Sequence, residues 1–274
     1  LPVHDPHPLI GPTRPLVVGD PDLAVFTDLT DVALRTVREP ADGVFIAEGL
    51  KVITRAMAAG MRPLHALTTQ RWVDGLLGAT GTIPVIVGTE DELLAVTGYR
   101  VHRGALVAFE RPVDPGLAAI ARDATRLVLL EDLKEHANVG TIVRSAAAFG
   151  LHGLVVSPKC ADPLYRRSVK VAMGTVFTMP WTRSDEWGQT LRQVKALGFR
   201  LAALTPAQDA TDLRTFTPRG DERIAMIFGT EGPGVSASTL AACDLRLRIP
   251  MREGVDSLNV GAAAAVAAYA LAPT

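Results

Sequence analysis

Two short stretches, 127–130 and 224–228, are apolar at every position, the pattern of parallel strands covered on both faces. Apolar runs of this kind alternate with helical patterns along nearly the whole chain, so the fold class is α/β. With 48% apolar and 21% charged residues, the chain can bury a sizeable core. Its 274 residues leave room for one large domain or two modest ones.

The patterns predict helices over 23–38, 50–59, 71–77 and 91–96, and strands at 44–47, 64–68, 85–87 and 105–109. A bridge over 110–116 carries Pro112 and Pro115, which disfavour regular structure on both sides. The domain boundary is placed there. It gives a first α/β domain over 1–112, its first 20 residues expected to be flexible, and a second over 113–274. The second is predicted to hold a helix over 139–149 and strands at 126–130, 154–156, 201–204, 224–228 and 245–249. A buried, alanine-rich helix from Leu258 closes it.

That last apolar stretch, 258–272, is shorter than the ~20 residues a membrane span needs. No basic-then-apolar signal pattern opens the chain. Two cysteines far apart, Cys160 and Cys243, exclude a disulfide framework and a cysteine-based zinc cluster, and no histidine pair has metal-ligand spacing. The expectation is a soluble cytoplasmic protein without metal. The net charge of -1 argues against a non-specific nucleic-acid coat. Residues 1–112 hold 10 basic and 13 acidic side chains, and 113–274 hold 18 and 16, a weak pointer to an anionic ligand on the second domain.

Three motifs stand out, each with an ordinary structural reading beside the functional one. In Asn138-Val-Gly-Thr-Ile-Val-Arg144, Asn138 suits a helix N-cap. Arg144 falls on a helix that is otherwise mostly apolar, and needs an anionic partner or a cleft unless it is a surface arginine at a helix edge. Gly229-Thr-Glu-Gly-Pro-Gly234 follows a strand, and its three glycines allow a sharp turn and close approach to a ligand. It lacks the lysine of a P-loop and the spacing of a dinucleotide fingerprint. In the run from Ile249 to Asn259, Ser257 suits an N-cap and Asn259 sits in the first helical turn, either as part of a plain cap or holding a polar ligand. A cluster of Arg166, Arg167 and Lys170 could straddle phosphates, since positions four apart share a helix face, or could be a solvated face.

In this order and spacing the three motifs resemble those of the SpoU family, ribose 2'-O-methyltransferases of RNA within the SPOUT superfamily. The resemblance covers roughly 125–272, with Met173-Gly174-Thr175-Val176-Phe177 also fitting. The first domain resembles, more loosely, the substrate-binding domain found ahead of such enzymes, with Glu48-Gly49 after a strand. The resemblance implies S-adenosylmethionine as methyl donor, a C-terminal trefoil knot that ordinary connection rules would not predict, and a homodimer. It also implies that Leu204, Thr205, Gly229, Thr230, Glu231, Gly232, Ile249, Met251, Ser257 and Leu258 hold the cofactor. Arg144, Asn138, Glu231, Ser257 and Asn259 would surround the reacting ribose. Thr230 stands where the family commonly has Asn, so one side-chain contact differs.

The resulting expectation is 2'-O-methylation of structured RNA, foremost large-subunit ribosomal RNA, with Arg166, Arg167 and Lys170 as phosphate contacts. Transfer RNA is the alternative substrate, and a non-catalytic RNA-binding or ribosome-assembly protein is the alternative of another class.

Overall fold

The computed structural model describes residues 13–80, 83–101 and 104–273. The chain forms two compact units, the first comprising the chain up to Pro112 together with Leu164–Phe177. The second holds Val113–Pro163 and the chain from Thr178 onward.

The first unit contains a mixed five-stranded sheet made of β1 (Thr13–Pro15), β2 (Val44–Glu48), β3 (Pro63–Thr69), β4 (Val85–Gly88) and β5 (Ala105–Glu110). The strand order is β1-β4-β3-β5-β2. β4 runs parallel to both β1 and β3, whereas β5 is antiparallel to β3 and β2. The connections carry α1 (Val32–Ala41), α2 (Leu50–Ala58), α3 (Val73–Thr80) and α4 (Glu90–Thr97). Leu23, Phe26, Ile46, Leu67, Ile86 and Leu106 lie in one buried cluster.

Two expectations for this unit are corrected. The helix predicted over 23–38 is a 3-10 turn, Pro21–Phe26, followed by a break and then α1. The break falls at aspartates. Asp28 takes φ 54°, and the Asp31 side chain accepts from the Leu34 N–H at 2.9 Å, capping α1. The segment expected to be flexible, 1–20, is ordered from Thr13. There β1 pairs with β4, the Leu16 N–H donates to the Val87 carbonyl, and Arg14 bonds Asp20 and Asp22. The residues before Thr13 lie outside the described ones.

The second unit begins with α5 (Gly116–Ala121), β6 (Arg126–Leu130), α6 (His136–Ala148) and β7 (Gly153–Val156). After α7 (Arg166–Val171), which belongs to the first unit, come β8 (Trp181–Arg183), α8 (Trp187–Ala196), β9 (Phe199–Leu204) and β10 (Thr211–Asp212). β11 (Arg223–Phe228), α9 (Ala237–Ala242), β12 (Leu245–Arg248) and α10 (Val260–Ala270) complete it. Its seven strands form one sheet, ordered β10-β12-β9-β11-β6-β7-β8, with every neighbouring pair parallel. The two apolar stretches 127–130 and 224–228 are the central pair, Leu127 opposite Ala225 and Leu130 opposite Phe228, and both strands are buried. α10 packs on α6 through small residues, and a Cβ at Gly261 would come within 3.0 Å of Thr141. The helix expected to be buried is so on one side: Gly261, Ala264, Ala267 and Ala268 are buried, while Val266 and Tyr269 are exposed.

The inclusion of 164–177 in the first unit departs from a single cut at 112/113, and Glu48 accounts for much of it. This carboxylate ends β2 and is 3% exposed. It accepts from Arg166 Nη1 at 2.7 Å, Lys170 Nζ at 2.6 Å and the Tyr99 hydroxyl at 3.1 Å. The Arg166 guanidinium also lies 4.3 Å from the centroid of the Tyr99 ring. Arg166 and Lys170 do share a helix face, as their spacing predicts, but what they straddle is a carboxylate.

Burial pushes the Glu48 carboxyl up, and the hydrogen bonds and charges of Lys170 and Arg166 outweigh it, holding the group below the usual glutamate range. A carboxyl whose folded pKa is depressed adds stability above its unfolded pKa, and that stability is lost as pH falls through the folded value. Glu48→Gln is therefore expected to destabilise the protein at neutral pH by on the order of 3 kcal/mol, because two half-buried cations lose their counter-charge. The deficit should shrink as pH is lowered below about 4. Denaturant unfolding of both forms across that range checks it. A deficit independent of pH would mean that Glu48 acts by packing and not by charge.

Candidate active site

β12, β9 and β11 are adjacent in the second unit's sheet, and their carboxyl ends feed three loops. Ligands of open α/β sheets bind outside such ends. A cavity of about 370 Å³ opens there, a size suited to a small-molecule ligand. Leu204 and Thr205 line it from β9, and Gly229, Thr230, Glu231 and Gly232 from the turn after β11. Ile249 and Met251 follow β12, and Ser257 and Leu258 lead into α10. All ten residues expected to hold the cofactor thus line one cavity.

The turn after β11 is shaped by its glycines in two different ways. Gly229 is a packing requirement, because a Cβ there would lie 2.1 Å from the backbone of Gly234 and Val235. Gly232 is a conformational one, with φ +88° and open space around it. The Gly234 N–H donates to the Thr230 carbonyl at 2.9 Å, closing the turn. Glu131, buried just after β6, anchors the segment that leads into α9 by accepting from Ser236 N–H (3.0 Å), Ser236 Oγ (2.7 Å) and Thr239 Oγ1 (2.7 Å).

Beside the cavity, three polar side chains form one hydrogen-bonded row. Asn259 Oδ1 accepts from the first free amides of α10, Gly261 N–H at 2.9 Å and Ala262 N–H at 3.3 Å. This leaves its Nδ2 to donate to Asn138 Oδ1 at 3.0 Å. Asn138 Nδ2 in turn donates to Glu231 Oε1 at 2.8 Å, and the Lys134 N–H reaches Glu231 Oε2 at 3.3 Å. Partial burial pushes the Glu231 carboxyl up, but the Asn138 amide and the backbone N–H groups of Glu231, Lys134 and Glu135 prevail and keep it below the ordinary range. Glu231 is therefore an ionised acceptor at the cavity's edge.

Local roles differ from expectation at three of these positions. Asn138 lies in the first turn of α6, whose cap is Glu135, accepting from Ala137 N–H at 3.1 Å. Asn259, and not Ser257, caps α10; Ser257 precedes the helix and is exposed. A Ser and an Asn two positions apart are both good caps, and only the path of the chain decides between them. Arg144 is exposed on α6 and does not line the cavity. Arg166, Arg167 and Lys170 lie in the first unit, on α7, where Arg166 and Lys170 serve Glu48. Arg167 is exposed.

Pro206, Phe228, Gly234, Val260 and Ala263 also line the cavity and were not anticipated. Phe228 and Gly234 bracket the glycine turn, so their place was open to inference. Val260 and Ala263 look like ordinary helix interior until α10 is seen to face the cavity. Among the described residues no group of three His, Cys, Asp or Glu is placed to hold a metal ion, and no helix is long and apolar enough to cross a membrane.

The row separates two tasks of Asn259. Asn259→Asp keeps an acceptor for the helix amides but removes the donor to Asn138, so thermal stability should change little while activity at this site falls. Asn259→Ala should lose both, with about 1 kcal/mol of helix capping. Full activity in the aspartate variant would show that the row does not orient Asn138.

Residues 125–269 match the model of the SpoU rRNA methylase family. The chain belongs to that family. A Mycobacterium bovis protein named as an uncharacterized tRNA/rRNA methyltransferase is 38% identical over 254 residues, covering 91% of this chain and 88% of the relative. A 23S rRNA (guanosine-2'-O-)-methyltransferase of Nitrosomonas europaea is 31% identical over 199 residues, covering 70% and 75%. The SpoU methyltransferase AviRb of Streptomyces viridochromogenes, solved with AdoMet, is similar with a TM-score of 0.76 and 26% identity, covering 90% of this chain and 96% of that one. This protein is thus a SpoU-family RNA methyltransferase, and the cofactor of the family is S-adenosylmethionine. The cavity suits that group: apolar walls at Leu204, Ile249, Met251 and Leu258, a backbone turn without side chains at Gly229 and Gly232, and one ionised carboxylate.

Proposed function

We propose that the protein methylates the 2'-oxygen of a ribose in structured RNA, with large-subunit ribosomal RNA as the substrate. The observation that carries this reading is the single cavity lined by all ten expected cofactor residues, with Asn138, Glu231 and Asn259 hydrogen-bonded in a row beside it. The 23S rRNA 2'-O-methyltransferase relative supports the choice of ribosomal RNA. Relatives named for both tRNA and rRNA keep transfer RNA as the second reading.

When bound, S-adenosylmethionine supplies an electrophilic methyl group. The glycine turn, Leu204, Thr205, Ile249, Met251 and Leu258 would hold the donor. Asn138, Glu231 and Ser257 orient the ribose hydroxyl, with Asn259 fixing Asn138. Arg144 binds the adjacent phosphate and keeps its proton, since a guanidinium hardly ever loses it. Holding the hydroxyl in line with the methyl group would supply most of the rate, as positioned reactants need no further ordering. As the oxygen–methyl bond forms and the sulfur–methyl bond breaks, the hydroxyl proton would pass to the ionised Glu231 carboxylate or to water.

The same reading includes a trefoil knot at the C-terminus, a homodimer and a cytoplasmic location. The close approach of Gly261 to Thr141 suits tight threading, and the exposed Val266 and Tyr269 on α10 offer a second copy an apolar face. The first domain selects the RNA, with Arg167 as a phosphate contact on α7. Mapping ribose methylation in RNA from cells with and without the protein tests the proposal. One 2'-O-methyl group missing from 23S rRNA is expected. Loss confined to transfer RNA would select the second reading, and no change in any RNA would overturn both.

A further inference from the structure

Within the first unit, two hollows share one wall, and that wall is Trp72. The larger, about 310 Å³, is lined by Glu48, Gly49, Lys51, Lys170 and Met173 among others. The smaller, about 150 Å³, is lined by Thr69, Arg71, Glu90, Leu93, Arg100 and Val101. Trp72 is half-buried between them, held against Gly104, where a Cβ would come within 2.9 Å of the indole. Its position is therefore set before any ligand arrives, which lowers the ordering cost of binding.

The charges around this ring are mostly positive. Lys51 and Arg71 are exposed, and neither is ion-paired among the described residues. Arg100 is 58% exposed and only loosely placed, 3.9 Å from Glu90. Glu48 faces the larger hollow but is already neutralised by Arg166 and Lys170. The Arg71 guanidinium stands 5.1 Å from the Trp72 centroid, loosely enough to move aside. An aromatic platform flanked by unpaired cations is the arrangement that takes single-stranded nucleic acid, bases stacking on the ring and phosphates meeting the cations.

We infer that Trp72 is a stacking platform for an unpaired base of the RNA substrate, with Lys51, Arg71 and Arg100 receiving the flanking phosphates. This rests on the reading that the protein acts on RNA, and adds where the first unit grips it and in what form. A base on Trp72 must be free of its helix, so the preferred RNA has a loop, bulge or single-stranded end at that point. The cations supply affinity and the ring supplies discrimination against duplex.

The test uses the full chain, a mixed-sequence single-stranded RNA and a duplex of equal length, with binding followed by fluorescence anisotropy. Wild type should prefer the single strand. Trp72→Ala should weaken that binding about tenfold to a hundredfold, and Trp72→Phe should retain most of it. The double variant Lys51→Ala/Arg71→Ala should flatten the slope of log affinity against log salt by about 1.4. S-adenosylmethionine affinity, measured by calorimetry, should be unchanged in all three, showing that the fold is intact. Should Trp72→Ala fail to fold, the phenylalanine and double variants decide by the same measurements. RNA bound and methylated as well by these variants as by wild type would overturn this inference alone, as would a platform occupied by a protein segment. A wild-type protein that binds S-adenosylmethionine but no RNA of any kind would overturn the RNA reading itself.

Discussion

Arg144→Ala is expected to lower RNA methylation by about a hundredfold to a thousandfold, the scale of losing one hydrogen-bond donor that positions the reacting group, while S-adenosylmethionine affinity stays near wild type. The split follows from where the residue sits. Arg144 is exposed on α6 and does not line the cofactor cavity. Its removal therefore leaves the glycine turn and the apolar walls intact. It lies six residues after Asn138, about 9 Å further along the helix axis, so on the proposed reading it would meet RNA beyond the polar row. Arg144→Lys should recover little, because an ammonium cannot reproduce the planar, forked contacts of a guanidinium with phosphate. Single-turnover methylation and calorimetry check both halves. Near-normal turnover in either variant would remove Arg144 from the mechanism, and a large loss of cofactor affinity would place it in the donor site instead.

Gly229→Ala is expected to weaken cofactor binding about a hundredfold or more, a larger loss than for Gly232→Ala. At Gly229 the added carbon would lie 2.1 Å from the carbonyl carbon of Gly234 and the nitrogen of Val235, much closer than any real contact. Those are backbone atoms, so no rotamer change relieves the clash. The turn must open, breaking the hydrogen bond from Gly234 to Thr230 that shapes the cavity floor. Overpacking against backbone costs about 3 kcal/mol, which corresponds to roughly a hundredfold or more in cofactor affinity. Gly232 faces open space, and its alanine variant meets only the cost of a left-handed backbone, about 1–2 kcal/mol. Calorimetric titration of both variants gives the order directly. Equal losses would mean that conformation, and not close approach, is what the turn requires.

A Gly-x-x-Gly-x-Gly string marks a turn, but it does not say which glycine is pressed against backbone and which merely bends. The same limit applies to the basic cluster on α7. The i, i+4 spacing places Arg166 and Lys170 on one face, yet nothing local reveals that Glu48, far upstream, stands opposite them. It also bears on dissecting the protein. A fragment starting near Asp114 keeps the cavity but loses the partner of Arg166 and Lys170 and the sheet on which 164–177 packs. Weak RNA binding by such a fragment would not by itself assign recognition to the first domain.

Much of the architecture is a local property and is readable from the chain. The strands of the parallel sheet announce themselves because burial on both faces demands unbroken apolar runs, as in Leu127–Leu130 and Ile224–Phe228. The cofactor turn is readable because only glycine permits it. Short or polar elements escaped: β8 and β10 have three and two residues, and α8 carries an apolar stripe too narrow to stand out. By itself the sequence determined the α/β class and the apolar strands at the sheet centre, since hydrophobic period acts over a few residues, and its resemblance to the SpoU family singled out the ten residues that share one cavity. Only the tertiary structure decided that Asn259 caps α10 and aligns Asn138 on Glu231, that Arg144 stands outside the cavity, and that Glu48 claims the cations of α7. The first and last depend on side chains from distant segments meeting within hydrogen-bonding distance, the second on which face of α6 meets the cavity, and all are set by the packing of the chain.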